Sequence, residues 1–217
     1  MTREVFYLID NLKREVAVIA REAESNGLCR HRSGNFSMVD RASGLICVTP
    51  SGVDRVNMTE KEIVVIDMLG NVVEACEGLR PSSEYLMHIA AYETRSDICA
   101  VAHTHSPYAL VFAMLRESIP SVTAEMLHLN LREGRIPVAD YARAGTKELA
   151  DSVREPLKIS DAVLLASHGV MTVDGVSLSE ALLKASYVEE ISMAYLNARL
   201  LSGGNVPLIP IEDIKKY

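Results

Sequence analysis

Several common signals are missing from this 217-residue chain, and each absence removes a class of function. No window approaches 18 consecutive apolar residues, so no membrane-spanning helix is expected. The four cysteines, Cys29, Cys47, Cys76 and Cys99, show no C-x-x-C spacing. That argues against a disulfide framework or a cysteine zinc site and fits a reducing cytoplasm. The net charge is −7 and the basic residues are scattered, which argues against a nucleic acid partner. There is no internal repeat, low-complexity stretch or linker, so one domain over residues 1–217 is expected.

What is present is an ordinary globular composition, 48% apolar and 24% charged, in a chain long enough to bury a substantial core. The first 20 residues break their apolar positions with charge, which predicts an amphipathic helix and not a signal peptide. That helical period runs over residues 2–26 and stops at Gly27. Extended runs at 36–39 and 45–48 flank the turn-forming DRASG, a hairpin signal, and EIVVIDMLGNVVE repeats it around Gly-Asn. PSSEYLMHIAAYETR predicts a helix with serine as its N-cap, DICAVAHTHS a strand, and SPYALVFAML a helix. DAVLLASHGVMTVDG predicts strand, turn and strand. The last long helix is opened by a Ser177/Glu180 capping box and closed by Gly203 and Gly204. Hairpins mixed with helices predict a mixed sheet covered on both faces.

Within this frame, AVAHTHSPYA carries the first chemistry. Side chains at i and i+2 of a strand share a face, so His103 and His105 project together from one strand end. They are either polar strand-end residues bonded to loops or metal ligands, since neutral imidazole is a common ligand. His168, in LLASHGV, ends a second buried strand, and three histidines match a catalytic zinc site with an open position. Glu84 is among the candidates for a fourth ligand. Ser82 and Ser83 stand at a helix start, where they either cap the helix or help bind an anion. SGNFS and TPSG are two further turns with the ingredients of a phosphate nest. His31, with Arg30 and Arg32, reads as solvated loop charge; His88, one turn after Glu84, as a core or capping contact; Met126 and Met193 as core filler.

Taken in order, SGNFS, TPSG, PSSE, HTHS and SHG resemble the motifs of the class II aldolase/adducin family, over nearly the whole chain. The resemblance implies a single-domain α/β fold in three α-β-α layers, with a central mixed, mainly antiparallel sheet. It implies one zinc ion per chain on His103, His105 and His168, with Glu84 as catalytic acid/base and possible fourth ligand without substrate. It implies phosphate binding by Asn35, Ser51, Gly52, Ser82 and Ser83. The implied reaction is reversible cleavage of a short ketose 1-phosphate, such as L-fuculose 1-phosphate, to dihydroxyacetone phosphate and an aldehyde. A cytoplasmic homotetramer is implied as well.

The family's tyrosine from a neighbouring subunit has no counterpart here: Ala124 stands near its place, with Glu125 and His128 nearby and Tyr217 in the tail. Dehydratase, decarboxylase and epimerase members are alternatives, as is a non-catalytic adducin-like module. Glu84 argues against the epimerases, which carry aspartate there. The three histidines argue against the adducin-like module.

Overall fold

The computed structural model describes residues 3–214, and side chains from residue 7 to residue 214. Helix α1 (Arg3–Ser25) buries Ile9, Val16, Ile19, Ala20 and Ala23, the one-sided spacing its sequence shows. The hairpin β1 (Asn35–Asp40) and β2 (Leu45–Val48) pairs Asp40 with Leu45, and its turn is held by the Asp40 carboxylate accepting from the Ala42 and Ser43 amides. A second hairpin follows, β3 (Val64–Ile66) and β4 (Val72–Glu74), with Val72 and Val73 exposed on the edge strand.

Next come α2 (Tyr85–Thr94), β5 (Ala100–Thr104), α3 (Pro107–Leu115) and the two-residue strand β6 (Ile119–Pro120). A 3-10 helix (Ala124–Leu129) leads to β7 (Arg135–Ile136), β8 (Val138–Ala139), α4 (Lys147–Ser152) and α5 (Arg154–Leu157). The chain continues through β9 (Ala162–Leu165), β10 (Gly169–Asp174), α6 (Leu178–Ser202) and α7 (Ile211–Ile214).

Eight strands form one sheet in the order β4-β3-β2-β1-β5-β10-β9-β8, antiparallel throughout except for the parallel β8–β9 pair. Strand alternation splits the core between its two faces. Phe36, Met38, Ala100 and Ala102 pack under α1 and the start of α6; Val39, Val101, Met171 and Val173 pack under α2, α4 and α5. Each fully buried large apolar side chain is worth about 1.5–3 kcal/mol, so this two-faced burial holds the three layers together. Among the described residues no helix is long and apolar enough to cross a membrane.

Three expectations shift. Helix α2 begins at Tyr85, with Glu84 as N-cap and no side-chain cap bond; Ser82 instead accepts from the Glu84 amide at 3.3 Å. Strand β5 ends at Thr104, although the His105 amide still bonds the Leu28 carbonyl at 3.1 Å. Met126 is buried as expected, whereas Met193 is 41% exposed on the outer side of α6. The expected opening of α6 is present in part: Ser177 accepts from the Glu180 amide at 3.1 Å, and Gly203 ends the helix at φ 65°.

Candidate metal and acid–base centre

Strand β5 is central, flanked by β1 and β10, and this register sets the site. Asn35 of β1 and Met171 of β10 sit opposite His103 on either side. The His168–Gly169 turn closes β9 onto β10 at the same end. Gly169 allows no side chain, because a Cβ there would lie 2.4 Å from the Thr104 carbonyl oxygen and 3.2 Å from the His103 ring. Gly34 is equally constrained: its φ is +75°, and a Cβ would lie 2.5 Å from the His103 carbonyl oxygen.

These constraints bring His103, His105, His168 and Glu84 together, with one ligand atom from each inside 4.8 Å of the others. The three imidazole centroids are 4.8–5.1 Å apart. His103 is fully buried, and its Nδ1 lies 2.9 Å from the Val170 carbonyl. A carbonyl only accepts, so Nδ1 carries the proton and Nε2 turns a lone pair inward. His105 Nε2 faces it at 3.2 Å. Glu84 sets Oε2 at 3.5 Å from His103 Nε2 and Oε1 at 3.2 Å from His168 Nε2.

The electrostatics suit metal ligation. Burial, then the His103 and His168 rings, pushes His105 down to about 3. Burial and His103 push His168 down to about 4. Both are therefore neutral, the form that binds a cation. Burial works to raise the Glu84 carboxyl, yet the His103 ring beside it, then the His168 ring and the donating Asn35 amide, hold it well below the carboxylate range. Among the described residues, five buried side-chain polar atoms have no hydrogen-bond partner, and two of them, Glu84 Oε1 and His168 Nδ1, belong to this cluster. A buried carboxylate oxygen without a donor, facing three inward imidazoles, fits a divalent cation.

The anion-binding candidates divide. Asn35 is buried, and its amide Nδ2 donates to Glu84 Oε2 at 2.8 Å, so its side chain is engaged with the carboxylate. Ser51, Gly52 and Ser83 are exposed. The two loops bearing the serines lie side by side: the Ser51 amide donates to the Arg80 carbonyl, the Ser82 amide to the Thr49 carbonyl, and Pro50 bridges Pro81. Buried Arg55, which sequence reasoning passed over, bonds the Gly34 carbonyl and so ties the SGN turn to this pair. Its position three residues after TPSG gives no local hint of that reach. His31 and Arg32 are exposed in left-handed backbone conformation. Glu125 and His128 lie exposed on the 3-10 helix, His128 stacked on Tyr187 of α6 at 5.5 Å. Tyr217 is outside the described residues.

The family profile described as "Class II Aldolase and Adducin N-terminal domain" matches residues 14–196. A 5-deoxy-D-ribulose 1-phosphate aldolase of Bacillus thuringiensis serovar kurstaki is 31% identical over 209 residues, covering 96% of this chain and 94% of that protein. The L-fuculose phosphate aldolase of Escherichia coli K12 is 34% identical over 205 residues, covering 94% and 91%. A solved structure of an L-fuculose 1-phosphate aldolase superposes with a TM-score of 0.88 at 35% identity, covering 94% of this chain and 93% of that one.

Proposed function

The chain belongs to the class II aldolase and adducin family, and on that premise we propose a zinc-dependent aldolase that reversibly cleaves a short ketose 1-phosphate. The products are dihydroxyacetone phosphate and an aldehyde. The observation that carries the reading is the convergence of Glu84, His103, His105 and His168 with Glu84 Oε1 left without a donor. The two named relatives act on different ketose 1-phosphates, which share the head that becomes dihydroxyacetone phosphate. That half is common to both and the aldehyde half varies, with L-fuculose 1-phosphate or a similar deoxy sugar phosphate as the proposed substrate.

His103, His105 and His168 would hold the ion, with Glu84 as fourth ligand until substrate arrives. When bound, zinc supplies Lewis-acid polarisation of the substrate's carbonyl and hydroxyl oxygens. The Ser51, Ser82 and Ser83 hydroxyls and the Gly52 and Ser83 amides, with the second amide hydrogen of Asn35, would anchor the phosphate. Glu84 gives a proton to carbon 3 after the bond to carbon 4 breaks, and removes the same proton in synthesis. One domain spanning residues 1–217 carries these parts. Four unpaired cysteines support a cytoplasmic setting.

The test incubates zinc-loaded protein with dihydroxyacetone phosphate and a panel of aldehydes. Carbon–carbon bond formation, and solvent deuterium entering dihydroxyacetone phosphate without aldehyde, are the expected results; neither occurring overturns the reading. In a His103→Ala/His105→Ala variant, metal analysis should find the ion gone and circular dichroism the fold retained. We also propose a homotetramer, because among the described residues no proton donor for the aldehyde oxygen lies beside Glu84 and the three histidines. A monomeric mass in solution with undiminished turnover overturns that assignment.

A further inference from the structure

Behind Glu84 lies a buried ladder whose Ser37, His88 and Tyr92 the reaction above does not use. Glu84, His88 and Tyr92 recur every four residues along the start and body of α2, and Asn35 and Ser37 every two along β1. A helix advances roughly 6 Å in four residues and a strand about 6.7 Å in two, so the rungs stay in step. Asn35 reaches both Glu84 (Nδ2 to Oε2, 2.8 Å) and His88 (Oδ1 to Nε2, 2.5 Å). Ser37 Oγ reaches both His88 Nδ1 and Tyr92 Oη, each at 2.7 Å. All five residues are buried; His88 is 1% exposed.

The carboxylate fixes the direction of every bond in this ladder. It only accepts, so Asn35 must turn its NH2 toward Glu84 and its Oδ1 toward His88. That oxygen needs a donor, so His88 carries its proton on Nε2 and presents a bare Nδ1. Ser37 must then donate to Nδ1, and the Tyr92 hydroxyl donates to Ser37, whose carbonyl is also within 3.0 Å. Burial above all pushes His88 down to about 3, which keeps the ring neutral and this tautomer available. Without the Nε2 proton the Asn35 amide is held by the Glu84 bond alone, and a flipped amide would set its oxygen against the carboxylate.

We propose that His88 is a positioning residue for Glu84: its Nε2–H locks the Asn35 amide, which ties down Oε2 and leaves Oε1 alone facing the histidines. The proposal rests on the reading of Glu84 as the acid–base group. A carboxylate held by one oxygen keeps the other aimed, and a donated hydrogen bond tunes its basicity. A packing role for His88 would need only its volume.

Two measurements decide it. In metal-free wild-type protein, 15N chemical shifts of His88 should show the Nε2–H tautomer, with a slowly exchanging proton close to the Asn35 amide. In zinc-loaded protein, His88→Leu and His88→Asn should lower deuterium exchange into dihydroxyacetone phosphate about 10–100-fold through kcat, with KM and bound zinc unchanged. His88→Gln should stay within about threefold, because the glutamine amide nitrogen reaches the Nε2 position and that of asparagine does not. An Nδ1–H tautomer, or a leucine variant as active as the glutamine variant, overturns the proposal. Should the leucine variant not fold, the glutamine–asparagine pair decides. Should wild-type protein catalyse no exchange, the proposed reaction fails and the tautomer alone still judges His88.

Discussion

The same three strands end in two very different polar clusters. At one end of β5, β9 and β10, Glu84 and the histidines are brought together with two buried atoms unpartnered. At the other end, Lys184 of α6 bonds Asp161 at 2.7 Å and Asp174 at 2.8 Å, and Arg95 bonds Asp161 at 2.9 Å and Asp97 at 2.6 Å. Asp174 also takes the Val176 and Ser177 amides, and none of the unpartnered atoms lies there. Both clusters desolvate polar groups, which is costly unless partners are supplied. The saturated end supplies them all from within the chain and serves architecture. The unsaturated end leaves a deficit that matches a cation. A count of charged groups would not tell the two apart; the count of missing partners does.

Substitutions at each end test this division. The largest effect belongs to Glu84→Gln, which should cut deuterium exchange into dihydroxyacetone phosphate roughly 10²–10⁴-fold while melting temperature and zinc content stay near wild type. Exchange at the wild-type rate would remove Glu84 from the chemistry and leave it a helix cap.

Lys184→Met probes the opposite end. Removing one partner of a buried ion pair typically costs about 3–5 kcal/mol; Asp161 keeps Arg95 and Asp174 keeps two amides, so the loss here should fall at the lower end of that range. Urea unfolding should register that loss, with exchange per folded molecule and bound zinc unaltered. A stable variant, or one that sheds zinc, would dissolve the distinction between the ends.

The smallest effect sharpens the comparison through pH. The ring of His88 is neutral in the folded protein and held down to about 3, against 6.5 for an ordinary histidine. Below pH 6.5 the unfolded chain therefore binds a proton that the native state refuses, and stability present above that pH is lost as pH falls toward 3. Between pH 6.5 and 4.5 this amounts to roughly 2–3 kcal/mol at about 1.4 kcal/mol per unit. Metal-free wild type should lose that much more stability over the interval than metal-free His88→Gln, measured by urea unfolding at each pH. Parallel pH dependences would mean that the ring takes up its proton without cost.

The long elements were legible because each announces itself locally. The apolar stripe of α1, the turn chemistry of both hairpins, and Ser177 and Gly203 around α6 are short-range signals. The pieces between 119 and 157 were not: β6, β7 and β8 are two residues each, too short for any period, and β8 joins the sheet only through its parallel contact with β9. Each histidine of the site could be picked from its place at a strand end. What stayed hidden was the partnership of side chains across 49 to 55 positions, Asn35 with Glu84 and Ser37 with Tyr92. Asn35 shows the difficulty well: its motif suggested an anion ligand, and nothing local to it shows that one amide N–H is given to the Glu84 carboxylate 49 positions away. Met193 misled for a simpler cause, since methionine has no strong positional signature on a helix whose apolar face is broad.

Kinetically, the strand order puts the site behind the slowest steps of folding. The hairpins β1–β2 and β9–β10 close over short loops, but joining them through β5 brings together His103 and Val170, 67 positions apart. Closing such loops costs chain entropy before any contact rewards it, and folding slows as these separations grow. The imidazoles thus converge only when the non-local pairing is complete. On the ribosome the same order means that no ion can be gripped by all three histidines until β10 has emerged to lie against β5. On the proposed reading, metal capture by a refolding chain would therefore time the arrival of native topology.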